Sequence, residues 1–268
     1  MPAIHVMMKP ASGLCNMRCQ YCFYADEMEK RSQASYGIMS FATLENVIRR
    51  TLEFAEGSCT IAFQGGEPTL AGLDFFRECI RLEQKYNTKN VTISHALQTN
   101  GYGLNEEWCQ FFAKNHFLIG LSVDGIKATH DLYRKDAAGK DTYFRVLESA
   151  KLLEAAGVEF NVLMVVNDKT APKIRRIYEN FRKLGFSWQQ YIACLDPISE
   201  RQGQEEYSLS PEMYGRFLIE LFELWDLDLR QGKQPYIRQF ENYVGILLGQ
   251  FPESCEQRGV CSFQNIVE

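Results

Sequence analysis

Three cysteines stand at C-x3-C-x2-C spacing in Cys15-Asn16-Met17-Arg18-Cys19-Gln20-Tyr21-Cys22. Three thiolates so spaced can bind three irons of a cubane [4Fe-4S] cluster, whereas a closed cluster takes four. One iron then remains for a small molecule, the open position that a working metal centre keeps. Two other readings stand beside this one. The cysteines can be part of a zinc site with a distant ligand pair, for which Cys255 and Cys261 are candidates although their x5 gap is wide, or they can be unligated thiols.

Further groups able to do chemistry cluster in short polar stretches. Gln64-Gly65-Gly66-Glu67-Pro68 carries paired glycines that let backbone approach a ligand closely, though a tight turn before a helix accounts for them equally well. Arg134, in a loop without apolar periodicity, has a guanidinium fork that can clamp a carboxylate; the alternative is a solvated surface charge. Tyr21 and Phe23 flank the last cysteine of the motif and can shield a cluster, stack on an adenine, or simply pack. The four histidines show no pairing at ligand spacing, and neither a Ser/His/Asp arrangement nor a phosphate loop is evident.

These stretches have to be positioned by regular elements. Ile4 to Met8 reads as a buried strand directly before the cysteines. Ser40 caps an amphipathic run from Phe41 to Glu56, and polar, flexible sequence is expected over Asp26 to Tyr36. The alternation then repeats through strands at 59–63, 91–97, 117–121, 158–166 and 186–192, with helices at 73–86, 105–115, 142–156, 171–184 and 211–229. Six β/α units predict an α/β fold with a parallel sheet and right-handed crossovers. A full barrel takes eight units, so six predict an open, partial (β/α)6 TIM-like barrel. Five of the six strand ends carry polar or cysteine residues, and that face is where such barrels build function. Residues 1–232 are expected to form this core, and 233–268 a short helical C-terminal extension.

Composition narrows the classes. The 268 residues are 46% hydrophobic, enough for one large domain, and the formal net charge of −5 with dispersed Lys and Arg gives no basic footprint for nucleic acid. No apolar run approaches the ~20 residues of a spanning helix, and the start lacks a signal-peptide layout. A cytosolic protein off the membrane is expected, its nine cysteines serving as ligands or buried thiols rather than a disulfide framework.

Taken together, the cysteine motif after the first strand and Gly65-Gly66-Glu67-Pro68 after the second resemble the radical S-adenosylmethionine superfamily. More narrowly, Lys9-Pro10-Ala11-Ser12, Cys22-Phe23-Tyr24, the run Phe63 to Gly72, Leu97 to Gly101, Gly120 to Gly125 and Cys194-Leu195-Asp196-Pro197 resemble anaerobic sulfatase-maturating enzymes. The resemblance implies that Cys15, Cys19 and Cys22 hold the [4Fe-4S] cluster and that Tyr21 (through its backbone), Gly66, Ser122, Arg134 and Leu195 contact S-adenosylmethionine. It implies that Tyr24, Gln98 and Asn100 meet a peptide substrate. The implied activity is oxidation of a Cys or Ser of a sulfatase, in a Cys/Ser-x-Pro/Ala-x-Arg context, to formylglycine, with a flavodoxin or ferredoxin as electron donor. Family members continue into a domain with two auxiliary [4Fe-4S] clusters. Cys255 and Cys261 match the first two ligands of the first of these, the remaining ligands and the general base being expected beyond Glu268. Other readings are a peptide-modifying radical enzyme that makes thioether or carbon–carbon crosslinks, and a non-catalytic iron–sulfur electron carrier or zinc-stabilised binding module.

Overall fold

The computed structural model describes residues 4–198, 202–252, 254, 257–259 and 265–268. Cys255 and Cys261 lie outside the described residues. The first strand, β1 (Ile4–Met8), leads into the cysteine loop, and five further strands follow the expected alternation: β2 (Ser58–Phe63), β3 (Thr92–Thr99), β4 (Phe117–Ser122), β5 (Phe160–Val166) and β6 (Trp188–Ala193). All neighbours are parallel and consecutive in the order of the chain, as right-handed βαβ crossovers require. Helices α2 (Phe41–Phe54), α3 (Leu73–Tyr86), α4 (Glu106–Lys114), α6 (Tyr143–Ala155), α7 (Ile174–Lys183) and α8 (Pro211–Arg230) supply the crossovers and the final outer layer. Ser40 caps α2 as the sequence predicts, its hydroxyl accepting from Thr43 N–H.

Two short strands extend the six at its edges. β7 (Tyr236–Ile237) pairs with β6, and β8 (Asn265–Val267) pairs with β1, giving the order β7-β6-β5-β4-β3-β2-β1-β8. Strands of two and three residues carry no apolar periodicity, so the sequence offers no signal for them. Each first-to-sixth strand alternates by face. Ile61, Leu97, Ile119, Val162 and Met164 are fully buried beneath the helices, while Ala62, Gly120, Asn161 and Gln190 line a cavity of about 550 Å3. All six strands contribute to that cavity, so the sheet curls around it as an open barrel.

Helices depart from expectation at two places. The expected polar, flexible stretch from Asp26 begins inside α1 (Phe23–Lys30), an eight-residue helix with no buried residue. It holds because Asp26 and Lys30 pair at i,i+4 and both reach across to residue 198: Lys30 Nζ donates to Ile198 O at 2.6 Å, and Ile198 N–H to Asp26 at 3.0 Å. Arg134, expected in a loop, ends the short helix α5 (Lys127–Tyr133). Beyond β7, α9 (Arg238–Leu247) is the helix of the C-terminal extension.

A carboxylate fastens β8 to the cysteine loop. Glu268 accepts from Arg31 Nη1 at 2.7 Å, from Arg31 Nη2 and from the Ser12 hydroxyl, with Lys9 Nζ 3.8 Å away. Arg31 chiefly, with Ser12 and Lys9, holds the Glu268 carboxyl at about 2 from an ordinary 4.5. A depressed carboxylate stabilises the fold fully above its unfolded value and loses that contribution as pH falls from about 4.5 to about 2. Solvent screening brings the contribution down to about 1 kcal/mol. Glu268→Gln is therefore expected to remove about that much stability at neutral pH and nothing near pH 2, measured by urea unfolding across that range.

Candidate active site

The strand ends bring most of the singled-out residues into two linked groups. In the first, the β2 turn grips the cysteine loop. Gly66 has φ +53°, and a Cβ there would sit 2.2 Å from Leu14 O, so a side chain is excluded by backbone. The adjacent Glu67 is 1% exposed; its N–H donates to Leu14 O at 2.8 Å. Its carboxylate accepts from Thr69 N–H and hydroxyl, from the Thr99 hydroxyl and from Asn100 N–H at 2.7–3.1 Å. Burial pushes this carboxyl up and the four donors pull it back. Asn100 continues the chain of contacts: its Nδ2 lies 2.8 Å from Asn16 Oδ1 and 3.5 Å from Cys15 Sγ.

The second group joins the cysteine loop to the ends of β4 and β5. Arg18 N–H donates to Lys135 O and Gln20 N–H to Tyr133 O, stitching the loop to the segment after α5. Asp124 is 1% exposed, and its carboxylate accepts from the Tyr21 hydroxyl, from Arg134 Nε at 2.8 Å and Nη2 at 3.3 Å, and from Val165 N–H at 3.0 Å. The Arg134 guanidinium stands 5.5 Å over the Tyr21 ring. Burial lowers His130 to about 4, so it is neutral, and the network assigns its tautomer: Nδ1 accepts from Asp124 N–H and Nε2–H donates to Thr142 Oγ1, which donates to Arg134 O. Arg134 is thus neither a surface charge nor a free clamp. Two of its donors are committed to Asp124, leaving Nη1 without a protein acceptor among the described residues.

Ser122 is buried at the end of β4, and Leu195 stands 62% exposed just beyond β6. Gln98 faces the barrel cavity. Tyr24 lies on α1 beneath Lys9, whose Nζ is 5.2 Å from the ring centre, and burial pushes its hydroxyl up. The sequence reading did not single out Asp124 or Glu67 as hubs. Their signal is parity: Asp124 shares the inward face of β4 with Ser122 and Gly120, and Glu67 follows a strand whose turn holds two glycines.

The donor set suits a multi-iron centre. Burial raises the Cys15 thiol, with Met17 N–H at 3.4 Å and Asn100 pulling it back; burial pushes Cys19 up to about 12 against the pull of Arg134. Thiols this hard to ionise become thiolates when a cation offsets the desolvation cost, which iron does. Among the described residues no three His, Cys, Asp or Glu side chains meet at single-ion distances. In a cubane each thiolate binds a different iron, so three cysteines that do not converge on one point remain compatible with it. Cys59, Cys79 and Cys109 are buried in the helix–sheet core, away from this loop.

The sequence matches the Radical SAM superfamily over residues 10–181. It is 44% identical, over all 268 residues and 72% of the relative's length, to the cysteine-type anaerobic sulfatase-maturating enzyme of Clostridium novyi. This chain belongs to the anaerobic sulfatase-maturating enzymes of the radical SAM superfamily. A serine-type enzyme of Bacteroides thetaiotaomicron is 30% identical over 280 residues, covering 99% of this chain and 67% of that one. Among solved structures, native anSMEcpe with bound AdoMet superposes with a TM-score of 0.95 at 44% identity, over 100% of this chain and 72% of that chain. Streptococcus suis SuiB, at 14% identity and a TM-score of 0.62, shares the fold. No helix among the described residues is long and apolar enough to cross a membrane.

Proposed function

We propose that this chain oxidises a cysteine of a sulfatase polypeptide to formylglycine. The observation that carries the reading is the joining of the three-cysteine loop to Gly66, Asn100 and the Asp124–Arg134 pair by hydrogen bonds and backbone contact at one end of the barrel. Cys15, Cys19 and Cys22 would hold the cluster, which together with S-adenosylmethionine would supply the agent that removes a hydrogen atom from the substrate. The protein's part is to hold and to exclude water. Gly66 would let backbone approach the cofactor closely, Arg134 Nη1 would be free to meet its carboxylate while Asp124 fixes the fork, and Ser122 and Leu195 would contact it as well. Asn100 and Met17 N–H donate to Cys15 sulfur and so tune the potential of the cluster. Tyr24 and Gln98 meet the peptide.

Cysteine rather than serine is favoured by the relatives, since identity is 44% to cysteine-type and 30–35% to serine-type enzymes. A thiol needs one step more than an alcohol. After two electrons and two protons are lost, the substrate is a thioaldehyde, which water converts to the aldehyde with release of hydrogen sulfide. Cys255 and Cys261 would contribute to an auxiliary iron–sulfur cluster able to accept the second electron, and a flavodoxin or ferredoxin in the cytosol would be the electron donor. In this reading residues 1–232 are the catalytic core and 233–268 lead to the electron exit. The test is anaerobic reconstitution with iron and sulfide, reduction, and incubation with S-adenosylmethionine and a peptide bearing Cys-x-Pro-x-Arg. Mass spectrometry is expected to find formylglycine in step with 5′-deoxyadenosine; 5′-deoxyadenosine with an unchanged peptide would overturn the substrate assignment.

A further inference from the structure

A third aromatic ring joins the cysteine loop from far along the chain. Tyr21 and Tyr133 meet Tyr207, which comes from the connection between β6 and α8. The three ring centres stand 5.9, 6.3 and 6.0 Å apart, each pair edge to face. Tyr133 and Tyr207 are 3% and 9% exposed, and Cys19, Cys194 and Val165 pack against the group. These rings form a buried cluster apart from the helix–sheet core, so the packing of the barrel itself does not account for them.

Tyr207 is delivered there on a hydrogen-bonded turn. Ser208 N–H donates to Glu205 O and Glu205 N–H to the Ser208 hydroxyl, both at 3.0 Å. That hydroxyl donates to Asp196 at 2.7 Å, and the Tyr133 hydroxyl donates to Glu206 O at 3.2 Å. Four hydrogen bonds therefore fix the Tyr207 ring beside the cysteine loop. Cys19 is the loop cysteine that the rings reach, and burial pushes its thiol up to about 12.

We propose that Tyr207, with Tyr133, is a positioning residue that keeps water from the cluster sulfur at Cys19 and thereby holds the cluster's potential low. The inference rests on the reading of Cys19 as a cluster ligand. Three thiolates make such a centre anionic, and reduction adds a further negative charge. Water stabilises the more highly charged form, so excluding water makes the cluster harder to reduce and, once reduced, a stronger reductant. Arg134, 5.5 Å over the Tyr21 ring, would act the other way, but Asp124 matches its charge at 2.8 Å. A low potential is what an electron bound for a sulfonium requires.

The experiment compares the reconstituted parent with Tyr207→Ser and Tyr207→Phe by redox titration followed by electron paramagnetic resonance, without S-adenosylmethionine. At a poise where the parent is mostly oxidised, the ratio of reduced to oxidised cluster in Tyr207→Ser should be about tenfold higher, equivalent to about 59 mV. Deuterium modulation of the reduced signal in heavy water should deepen in the same variant, because solvent then reaches the sulfur. Tyr207→Phe keeps the ring and should match the parent in both measurements. A parental potential in iron-loaded Tyr207→Ser, or an equal shift in Tyr207→Phe, overturns the proposal. Should Tyr207→Ser hold no cluster, Tyr207→Leu takes its place, since it fills less of the space than a ring; a shift in the same direction is expected, and a parental potential overturns the proposal likewise. A cluster that stays intact in Cys19→Ala refutes the ligand assignment instead, so the two failures are distinguishable.

Discussion

Alanine at any one of Cys15, Cys19 or Cys22 is expected to abolish both the iron–sulfur absorbance of the first cluster and all reductive cleavage of S-adenosylmethionine. A cubane with one open iron has no spare protein ligand, so losing one thiolate loses the cluster rather than weakening it. The fold should survive, since the three side chains are only half-buried and the loop is held chiefly by backbone bonds to Tyr133, Lys135 and Glu67. Cys79→Ala and Cys109→Ala supply the contrast. Both sulfurs are buried in the helix–sheet core, and their removal should cost about 1–2 kcal/mol of stability for the cavity left behind without changing iron per chain. Iron and sulfide analysis on all five proteins decides the matter. A single motif variant that keeps stoichiometric iron and cleavage would show that its cysteine is not a ligand.

The second large effect is expected at Asp124. Asp124→Ala leaves the Arg134 guanidinium, itself 7% exposed, buried without its counter-charge, and strips acceptors from Tyr21 and Val165. Breaking such a pair from one side costs about 3–5 kcal/mol, several times what a surface pair is worth. Asp124→Ala combined with Arg134→Met should recover much of that loss, because it removes the stranded charge, yet it should not recover cofactor binding. Chemical denaturation of the single and double variants measures the first quantity, and calorimetric titration with S-adenosylmethionine the second. Equal stability of parent and Asp124→Ala would mean that water reaches the pair in solution.

The two predictions also mark how far the sequence could be read. The six large strands and the helices between them were legible because each is a long apolar pattern ended by Gly, Asn or Asp, and α2 to α4 fall within a few residues of where periodicity puts them. The cysteine motif stood out by its spacing, which by itself left a cluster, a zinc site and unligated thiols open until Gly65-Gly66-Glu67-Pro68 was set beside it. Arg134 was singled out for its chemistry but not for its partner, because Asp124 lies ten residues away across a helix that has too few turns to show a period. Asn100, expected to meet substrate, touches Cys15 and Asn16, contacts between residues 85 and 84 positions apart that no local pattern carries. Pairings of this kind are set by which strands become neighbours, and that is decided only when the sheet forms. β7, β8 and α1 were invisible for a different reason: they are stabilised by a few contacts with distant chain and bury little apolar surface of their own.

The stitching of the cysteine loop to the segment after α5 bears on when the metal can go in. Arg18 binds Lys135 and Gln20 binds Tyr133, separations of 117 residues (135 − 18) and 113 residues (133 − 20). A ribosome working at about 5–20 residues per second needs on the order of 10 s to make that span. Through that interval the thiols have emerged but nothing yet exists to seat them. Iron delivered then meets a loose stretch of chain whose three cysteines are exposed to every competing metal and oxidant, whereas iron delivered later meets a loop already held between two strand ends. The chain is thereby biased toward late loading, and a maturation factor that waits for Lys135 to be synthesised would find the site in its binding form.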